Sequence, residues 1–260
     1  MSLMISIVSF LFGFMITITF TMLLTRVNNL KASLNAETGR LVPLFQLSKH
    51  LGKKFNEKIT ERIDEYTRKT LRDYTNYEVG REPMYGIYDD LALMEIENKK
   101  QEVSANSFLY VLGELQIIRE SLESLTSRRT EWSLKFSNYI LGFILIALLF
   151  LNRGELFTNL LFVVLSTVVI FIFLIIEDYD SLKIGDYTYN ISNSEQVFDL
   201  MGKDRYYPEN VLSRAEFTEG KTYRIGFMDK KTGEEKIVPI VYNPNFNRKL
   251  NFLRRKVKQG

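Results

Sequence analysis

The chain has 260 residues, no Cys, a single His, 46% apolar residues and a formal net charge of +3. The absence of thiols excludes a disulfide scaffold, a thiolate metal site and a Cys nucleophile, and His50 alone excludes a multi-His metal cluster. A net charge of +3 is too small by itself to indicate nucleic-acid binding.

Three stretches of the chain contain no charged residue: residues 5–24, 136–151 and 156–176. A bilayer core about 30 Å thick requires about 20 apolar residues in helix, and the first and third stretches are long enough. The second is shorter, but Phe136 and Tyr139 suit the membrane interface and Arg153 can snorkel beyond its end. Because only residues 152–155 connect the last two stretches, the sequence predicts three transmembrane helices, of which two form a tight hairpin.

Other interpretations stay open for each stretch. The first is compatible with a cleaved signal peptide, although no Lys or Arg precedes it. The second, taken alone, is compatible with a re-entrant or interfacial arm. The third is compatible with a buried core helix, although it is apolar on every face.

The distribution of Lys and Arg predicts the orientation of these helices, because cytoplasmic loops carry an excess of positive charge. Residues 1–4 hold no charged side chain, whereas basic residues follow the first stretch and precede the second. The basic residues are Arg26, Lys31, Arg40, Lys49, Lys53, Lys54, Arg128, Arg129 and Lys135. We therefore expect residues 25–135 and 177–260 in the cytoplasm, and the amino terminus and residues 152–155 outside the cell (inner) membrane.

The first stretch carries small and hydroxyl side chains at intervals of four residues: Ser9, Gly13, Thr17 and Thr21. Four residues advance a helix by about 400°, so these side chains form one stripe. Such a stripe favours close helix packing or, as a pore lining, contact with permeating inorganic ions. No ionisable residue lies within any of the three stretches, which argues against a proton relay or a voltage sensor at membrane depth.

Residues 26–135 are predicted to form a cytoplasmic helical region. An amphipathic helix is expected over residues 42–77, where an apolar residue recurs every four positions. These apolar residues are Leu47, Leu51, Phe55, Ile59 and Ile63. Pro83 disfavours helix at the residue before it, so helix is expected to resume near Tyr88 and to extend, with or without an interruption, to Trp132.

The most regular pattern of the chain is a heptad repeat over residues 108–132. Its apolar positions are Phe108, Val111, Leu115, Ile118, Leu122 and Leu125. This spacing is typical of a coiled-coil seam. The seam packs either on the helix over residues 42–77 within one subunit or between subunits of a homo-oligomer. Because the repeat leads almost directly into the second transmembrane stretch, it is compatible with one continuous helix.

No phosphate-binding loop, nucleophile elbow, paired-carboxylate site or metal motif is recognisable in the chain. Glu177, Asp178 and Asp180 follow the third stretch, and such carboxylates suit a divalent cation or, as we prefer, a solvated helix end. We therefore expect no enzymatic activity, no cofactor and no bound metal.

Residues 177–242 indicate a small cytoplasmic α+β segment. Alternating side chains predict a strand over residues 184–191. A short helix is expected over residues 194–201, and residues 221–242 predict a β-hairpin.

Residues 243–260 form a basic tail that contains no acid. Its candidates for binding lipid headgroups are Arg248, Lys249, Arg254, Arg255, Lys256 and Lys258. Such clusters bind anionic lipid at about 1 kcal/mol per charge. Nucleic acid is the rival partner, but no reading element accompanies the patch, so no nucleic-acid binding is expected.

The order of these features resembles the bestrophin-like family of uncharacterised bacterial membrane proteins. The residues that carry the resemblance are Tyr66, Lys69, Tyr74, Glu78, Leu122, Leu125, Arg128, Arg129, Trp132, Gly185, Ile191 and Ser192. The resemblance covers residues 60–192 and implies a relation to pentameric anion channels. This chain lacks the Pro-Phe pair and the fourth span that are common in that family.

The predicted fold is a mainly α, polytopic membrane protein with three transmembrane helices, long cytoplasmic helices and a small carboxy-terminal α+β segment. The predicted regions are residues 1–25 (first transmembrane helix), 26–135 (cytoplasmic helices), 136–176 (transmembrane hairpin), 177–242 (α+β segment) and 243–260 (basic tail). The leading functional hypothesis is a homo-oligomeric, bestrophin-like ion channel. The alternative is a membrane-anchored scaffold or sensor that binds a partner through its cytoplasmic helices and its carboxy-terminal hairpin.

Overall fold

The computed structural model describes residues 2–73, 76–127, 130–182, 187–229 and 234–243. The helices in these residues are α1 (Ser2–Ser48), α2 (Lys53–Arg72), α3 (Arg81–Ala92), α4 (Lys99–Ser127), α5 (Trp132–Leu151), α6 (Leu156–Asp180) and α7 (Tyr187–Met201). The strands are β1 (Arg205–Pro208), β2 (Thr222–Met228) and β3 (Glu235–Val241). The chain is therefore mainly α with a small carboxy-terminal sheet, as the sequence predicts.

The chain divides into two compact units. The first unit contains the described residues of Met1–Leu30 and Arg128–Gly185, and the second contains those of Lys31–Ser127 and Asp186–Gly260. Helix α1 contributes its first part to one unit and its remainder to the other, whereas the α5–α6 hairpin belongs to the first unit. Each unit is therefore built from two separate stretches of sequence.

Helices α1, α5 and α6 of the first unit contain the stretches that are long and apolar enough to cross a membrane. Only 11% to 17% of those stretches is buried within the chain, so most of their apolar surface faces outward. Their inward faces form a small core: Phe12, Ile16, Leu23, Leu145, Val169 and Ile176. Gly142 lets α5 and α6 approach closely, because a side chain there would collide with the ring of Phe173.

A short loop joins α5 to α6. The backbone N–H of Glu155 donates to the hydroxyl oxygen of Thr158 at 3.0 Å, which caps the start of α6. The guanidinium of Arg153 lies 3.7 Å from the ring centroid of Phe150. The two apolar stretches therefore form the helical hairpin that the short connection predicts.

Two apolar cores organise the second unit. The end of α1 packs with α2, α3 and α4 around the first core: Leu44, Ile59, Ile63, Met84, Ile87, Phe108, Leu112 and Leu115. The sheet packs with α7 and the end of α2 around the second: Leu71, Ile191, Phe198, Tyr206, Tyr207, Ile225 and Phe227. Strand β2 lies in the centre of the sheet, parallel to β1 and antiparallel to β3.

The helix predicted over residues 42–77 is interrupted in the structure. Helix α1 continues to Ser48, a 3₁₀ turn follows, and α2 begins only at Lys53. Gly52 causes this break, since its φ of +111° is one that other residues rarely adopt. The apolar spacing within α2 is nevertheless used as predicted, because Ile59 and Ile63 are fully buried.

The helix predicted between residues 88 and 132 is also divided. Helix α3 begins at Arg81 with Pro83 in its first turn, where a missing N–H breaks no helical hydrogen bond. Helix α4 follows after a turn. Thr130 and Glu131 are not helical, so α4 and α5 are separate helices and do not form a continuous one.

The strand predicted over residues 184–191 is wrong for the part that the structure describes, which is the first turn of α7. Ile191, Ser194 and Val197 are buried, a helical spacing that outweighs the short alternating pattern. The hairpin predicted over residues 221–242 is confirmed by the antiparallel pairing of β2 with β3. Strand β1 was not predicted, because it is only four residues long and pairs in parallel with β2 across residues 209–221.

Candidate functional site

The pore-lining candidates Ser9, Gly13, Thr17 and Thr21 all lie on the exposed surface of α1. The hydroxyls of Thr17 and Thr21 donate to the carbonyl oxygens of Gly13 and Thr17, each at 2.8 Å. Both hydroxyls are thus satisfied within their own helix, as is common at membrane depth. Within the part of the chain that the structure describes, no other element covers this stripe, and its surface is exposed.

One buried polar contact connects two helices of the first unit. Thr19 and Asn138 are 0% and 1% exposed, and the Asn138 amide nitrogen donates to the Thr19 hydroxyl at 2.6 Å. That nitrogen also donates to the carbonyl oxygen of Leu134 at 3.0 Å. A hydrogen bond in such surroundings fixes the register of α1 against α5. The sequence pattern draws attention to the exposed stripe and not to this pair.

Two of the three acidic residues after the third apolar stretch, Glu177 and Asp180, form ion pairs. The Lys135 ammonium lies 2.6 Å from Asp180 and 2.8 Å from Glu177, and Arg26 lies 3.6 Å from Asp180. Asp180 also accepts the backbone N–H and the hydroxyl of Thr130, at 2.7 Å and 2.6 Å. Burial raises the pKa of Asp180, but the hydrogen bonds from Lys135 and Thr130 outweigh it and lower that pKa. Asp180 is therefore buried and paired, which corrects the predicted solvated helix end for this residue, whereas Glu177 and Asp178 are exposed.

Among the described residues, no group of His, Cys, Asp or Glu side chains is arranged to hold a metal ion. His50 is exposed in the turn after α1. The lipid-headgroup candidates Arg248, Lys249, Arg254, Arg255, Lys256 and Lys258 lie outside the described residues.

The heptad seam on α4 is used inside the chain. Phe108, Leu115 and Leu122 have no accessible surface, and the ring of Phe108 meets that of Phe55 at 5.4 Å between centroids. The other seam positions are half-buried: Val111, Ile118 and Leu125. Of the two predicted packings, the structure therefore contains the intramolecular one, and a contact between subunits through the buried positions would require this core to open.

The most unusual titratable group of the second unit is Glu37, which is 5% exposed on α1. One carboxylate oxygen accepts the hydroxyl of Tyr66, and the other accepts the hydroxyl of Tyr77 at 3.3 Å. Both tyrosines and the nearby Arg119 are almost completely buried, with exposures of 1%, 0% and 2%. We call Glu37, Tyr66, Tyr77 and Arg119 the Glu37 cluster.

The Glu37 cluster perturbs the acidity of its members. Burial raises the pKa of Glu37 to about 7, and the two tyrosine hydroxyls and the charge of Arg119 oppose this rise only in part. The guanidinium of Arg119 is bonded to Glu123 at 2.9 Å and to Gln116 at 3.3 Å. Burial and the neighbouring carboxyl raise the pKa of both tyrosines well above the usual value, so their hydroxyls remain donors.

A signal for this site exists in the sequence. Leu30, Leu34, Leu41 and Leu44 are buried at heptad spacing, and Glu37 occupies the position between them that an apolar residue would normally fill. A carboxyl group at such a position indicates a functional role or a buried ion pair.

Asp64 is the centre of a second polar cluster, which holds the sheet against α2. Arg224 of β2 binds it through two hydrogen bonds of 2.7 Å and 3.0 Å. Arg68 lies 3.0 Å away and Lys203 lies 3.6 Å away. Burial raises the pKa of Asp64, but Arg224 and the other cations outweigh this effect and lower it. The charge of Asp64 is thus matched by three cations, and the cluster serves to stabilise the structure.

Comparison with protein-family models, with curated proteins and with solved structures finds no match for this chain. The resemblance to the bestrophin-like family therefore stays an expectation from the sequence. What the chain does has to be argued from its own residues.

Proposed function

We propose that this chain is a membrane-anchored sensor whose second unit responds to proton concentration through Glu37. Helices α1, α5 and α6 serve as the anchor, and the second unit lies in the cytoplasm. The observation that carries the proposal is a carboxyl group placed inside an apolar heptad, with two buried hydroxyls on its oxygens. A buried carboxylate without a direct cation is unfavourable, so Glu37 changes its charge near neutral pH.

The change of charge on Glu37 alters the hydrogen bonds of Tyr66 and Tyr77 directly. Protonated Glu37 becomes a donor, so one tyrosine hydroxyl must rotate to accept its hydrogen bond. Tyr66 packs tightly against Gly80, where a Cβ atom would lie 2.6 Å from the ring carbon Cε2. A displacement of Tyr66 is therefore transmitted to the turn over Tyr77–Gly80, which is the expected moving part of the sensor.

The variant E37Q tests this proposal, since glutamine has the shape of the protonated side chain and cannot ionise. We expect the thermal stability of the solubilised wild-type protein to fall as the pH rises through about 7, because ionised Glu37 is buried. The same step should be absent in E37Q. Hydrogen exchange at Tyr77–Gly80 should show a matching pH dependence in the wild type alone.

The variant E57Q is a matched control, because Glu57 is exposed on α2 and its replacement removes an equal charge. E57Q should keep the wild-type pH profile. A wild-type step near pH 7 that persists in E37Q would show that another group titrates, and the sensor proposal would then be abandoned.

A homo-oligomeric ion channel is the second candidate function. Its support is the stripe of α1, which is exposed among the described residues and whose threonine hydroxyls bond within their own helix. The described core of the first unit is apolar, and its buried polar residues are Thr19, Asn138 and, at the end of α6, Asp180, so a pore would have to lie between subunits. In that arrangement the α1 stripes of several copies face a common axis.

Replacement of Thr17 and Thr21 by Val keeps the shape of the stripe and removes its hydroxyls. If the stripe lines a pore, ion flux into proteoliposomes should fall severalfold in T17V/T21V. T167V is the matched control, because Thr167 is also exposed and bonded to its own helix, on α6. Absence of flux from oligomeric wild-type protein, or an equal loss in T167V, would contradict this function.

A further inference from the structure

The outer face of α4 carries an exposed apolar stripe. Val103, Tyr110 and Ile117 follow one another at intervals of seven residues, which places them on one side of the helix. Their exposures are 60%, 68% and 69%. The opposite face of α4 is the buried heptad seam, so this stripe is a second face of the same helix, and no other described element covers it.

Gly113 lies on this outer face between Tyr110 and Ile117. A glycine in the middle of a helix destabilises it relative to alanine, unless another backbone must approach closely. Apart from the adjacent residues and the backbone of α4 itself, no described atom lies within 4 Å of the position that a Cβ of Gly113 would take. The space beside Gly113 is therefore available to a helix from outside the chain. The hydroxyl of Tyr110 donates to Glu114 at 2.9 Å, which holds the ring along the surface of the helix.

Two copies of the stripe are complementary to each other when they lie antiparallel. Val103 and Ile117 each lie seven residues from Tyr110, in opposite directions along α4. Lys99 and Glu120, both exposed, lie near the two ends of the stripe. In an antiparallel pair of α4 helices, Val103 of one copy faces Ile117 of the other, and Lys99 lies near Glu120. A parallel pair would instead place like charges opposite each other and align the two helix dipoles.

We propose that a second copy of this chain docks on the α4 stripe, with the two α4 helices antiparallel and crossing at Tyr110. The contact uses apolar packing beside Gly113 and opposite charges at its ends. The contact does not involve the Glu37 cluster, so the experiments below test it independently of the sensor proposal.

Single-cysteine variants of the full chain test this arrangement cleanly, because the native sequence has no Cys. A disulfide requires Cα atoms within about 7 Å of each other. Across an antiparallel two-fold axis, Y110C should therefore form a covalent dimer on mild oxidation. V103C and I117C should each stay monomeric alone and form a dimer when the two are mixed. S107C, on the flank of the same helix, is the control for random collision.

Two outcomes would overturn the proposal. Cross-linking of V103C and I117C each with itself, and not with the other, would indicate a parallel pair. Cross-linking of Y110C no faster than that of S107C would show that the stripe is not an interface between copies.

A second measurement does not depend on disulfide geometry. Replacement of Gly113 by Leu adds an apolar side chain on the outer face of the helix, where its Cβ atom would meet no neighbouring element among the described residues within 4 Å. We expect G113L to weaken dimerisation at least about tenfold, as measured by mass in detergent, while the circular dichroism spectrum stays unchanged. S107L should dimerise as the wild type does, and equal dimerisation of G113L would contradict the proposed contact.

Discussion

Two buried carboxyl groups of the second unit, Glu37 and Asp64, make contributions to folding stability that change with pH in opposite directions. Burial raises the pKa of Glu37 to about 7, so its protonated form is favoured by folding and stability is lost as the pH rises through that value. Because the ordinary pKa of this group is 4.5, ionised Glu37 lowers the free energy of unfolding by about 3 kcal/mol at high pH. The cations around Asp64 lower its pKa, so the stability that it contributes is lost as the pH falls. Direct cation contact accounts for the difference between the two groups.

Asp64 is therefore expected to be structural, in contrast to Glu37. The variant D64N leaves Arg224, Arg68 and Lys203 near a neutral amide, and loss of one partner from a buried ion pair costs about 3–5 kcal/mol. We expect a clear fall in the melting temperature measured by circular dichroism at neutral pH.

The control for this prediction is D89N, since Asp89 is exposed on α3. D89N should melt within a degree or two of the wild type. If D64N melts at the same temperature as D89N, the cluster does not hold the sheet on α2.

At the scale of the elements, the long and strongly patterned helices follow from the sequence. Charge-free stretches predict the apolar parts of α1, α5 and α6, and the seam predicts most of α4. Alternation around a turn predicts the hairpin of β2 and β3. In each of these cases the signal is local and extends over several turns of helix or a complete hairpin.

The breaks between elements are less predictable, because each depends on one residue or on distant contacts. Gly52 ends the predicted helix through its positive φ, and Thr130 is drawn out of helix towards Asp180, fifty residues away. The first turn of α7 looks like a strand when only neighbouring residues are considered. It becomes a helix because Ile191 and Val197 are both buried.

The candidate site was not found from sequence for a similar reason. Tyr66 and Tyr77 reach Glu37 from 29 and 40 residues away, and no short motif contains them. What the sequence does contain is a carboxyl group inside an apolar heptad, which indicates the site but not its partners.

At the scale of the whole molecule, the proposed topology places the α5–α6 loop outside and the second unit inside the cell. Gly154 is exposed in this loop, and the space where its side chain would lie is free. An impermeant maleimide should therefore label G154C in intact cells and label S107C only after permeabilisation. The physical basis is the excess of Lys and Arg beside the spans. Labelling of G154C from the cytoplasmic side alone would reverse the orientation.

The ion pair between Asp64 and Arg224 joins residues that are 160 positions apart in the sequence. The α5–α6 hairpin comes between these two residues in the sequence. A ribosome therefore releases α2 long before β2, and Leu71 and Asp64 have no sheet to cover them while the hairpin is being synthesised. The second unit completes its fold only after β2 and β3 have been synthesised, which is later than the synthesis of the α5–α6 hairpin. Products cut short after α6 would expose this surface of α2, which makes incomplete chains recognisable to cellular proteases.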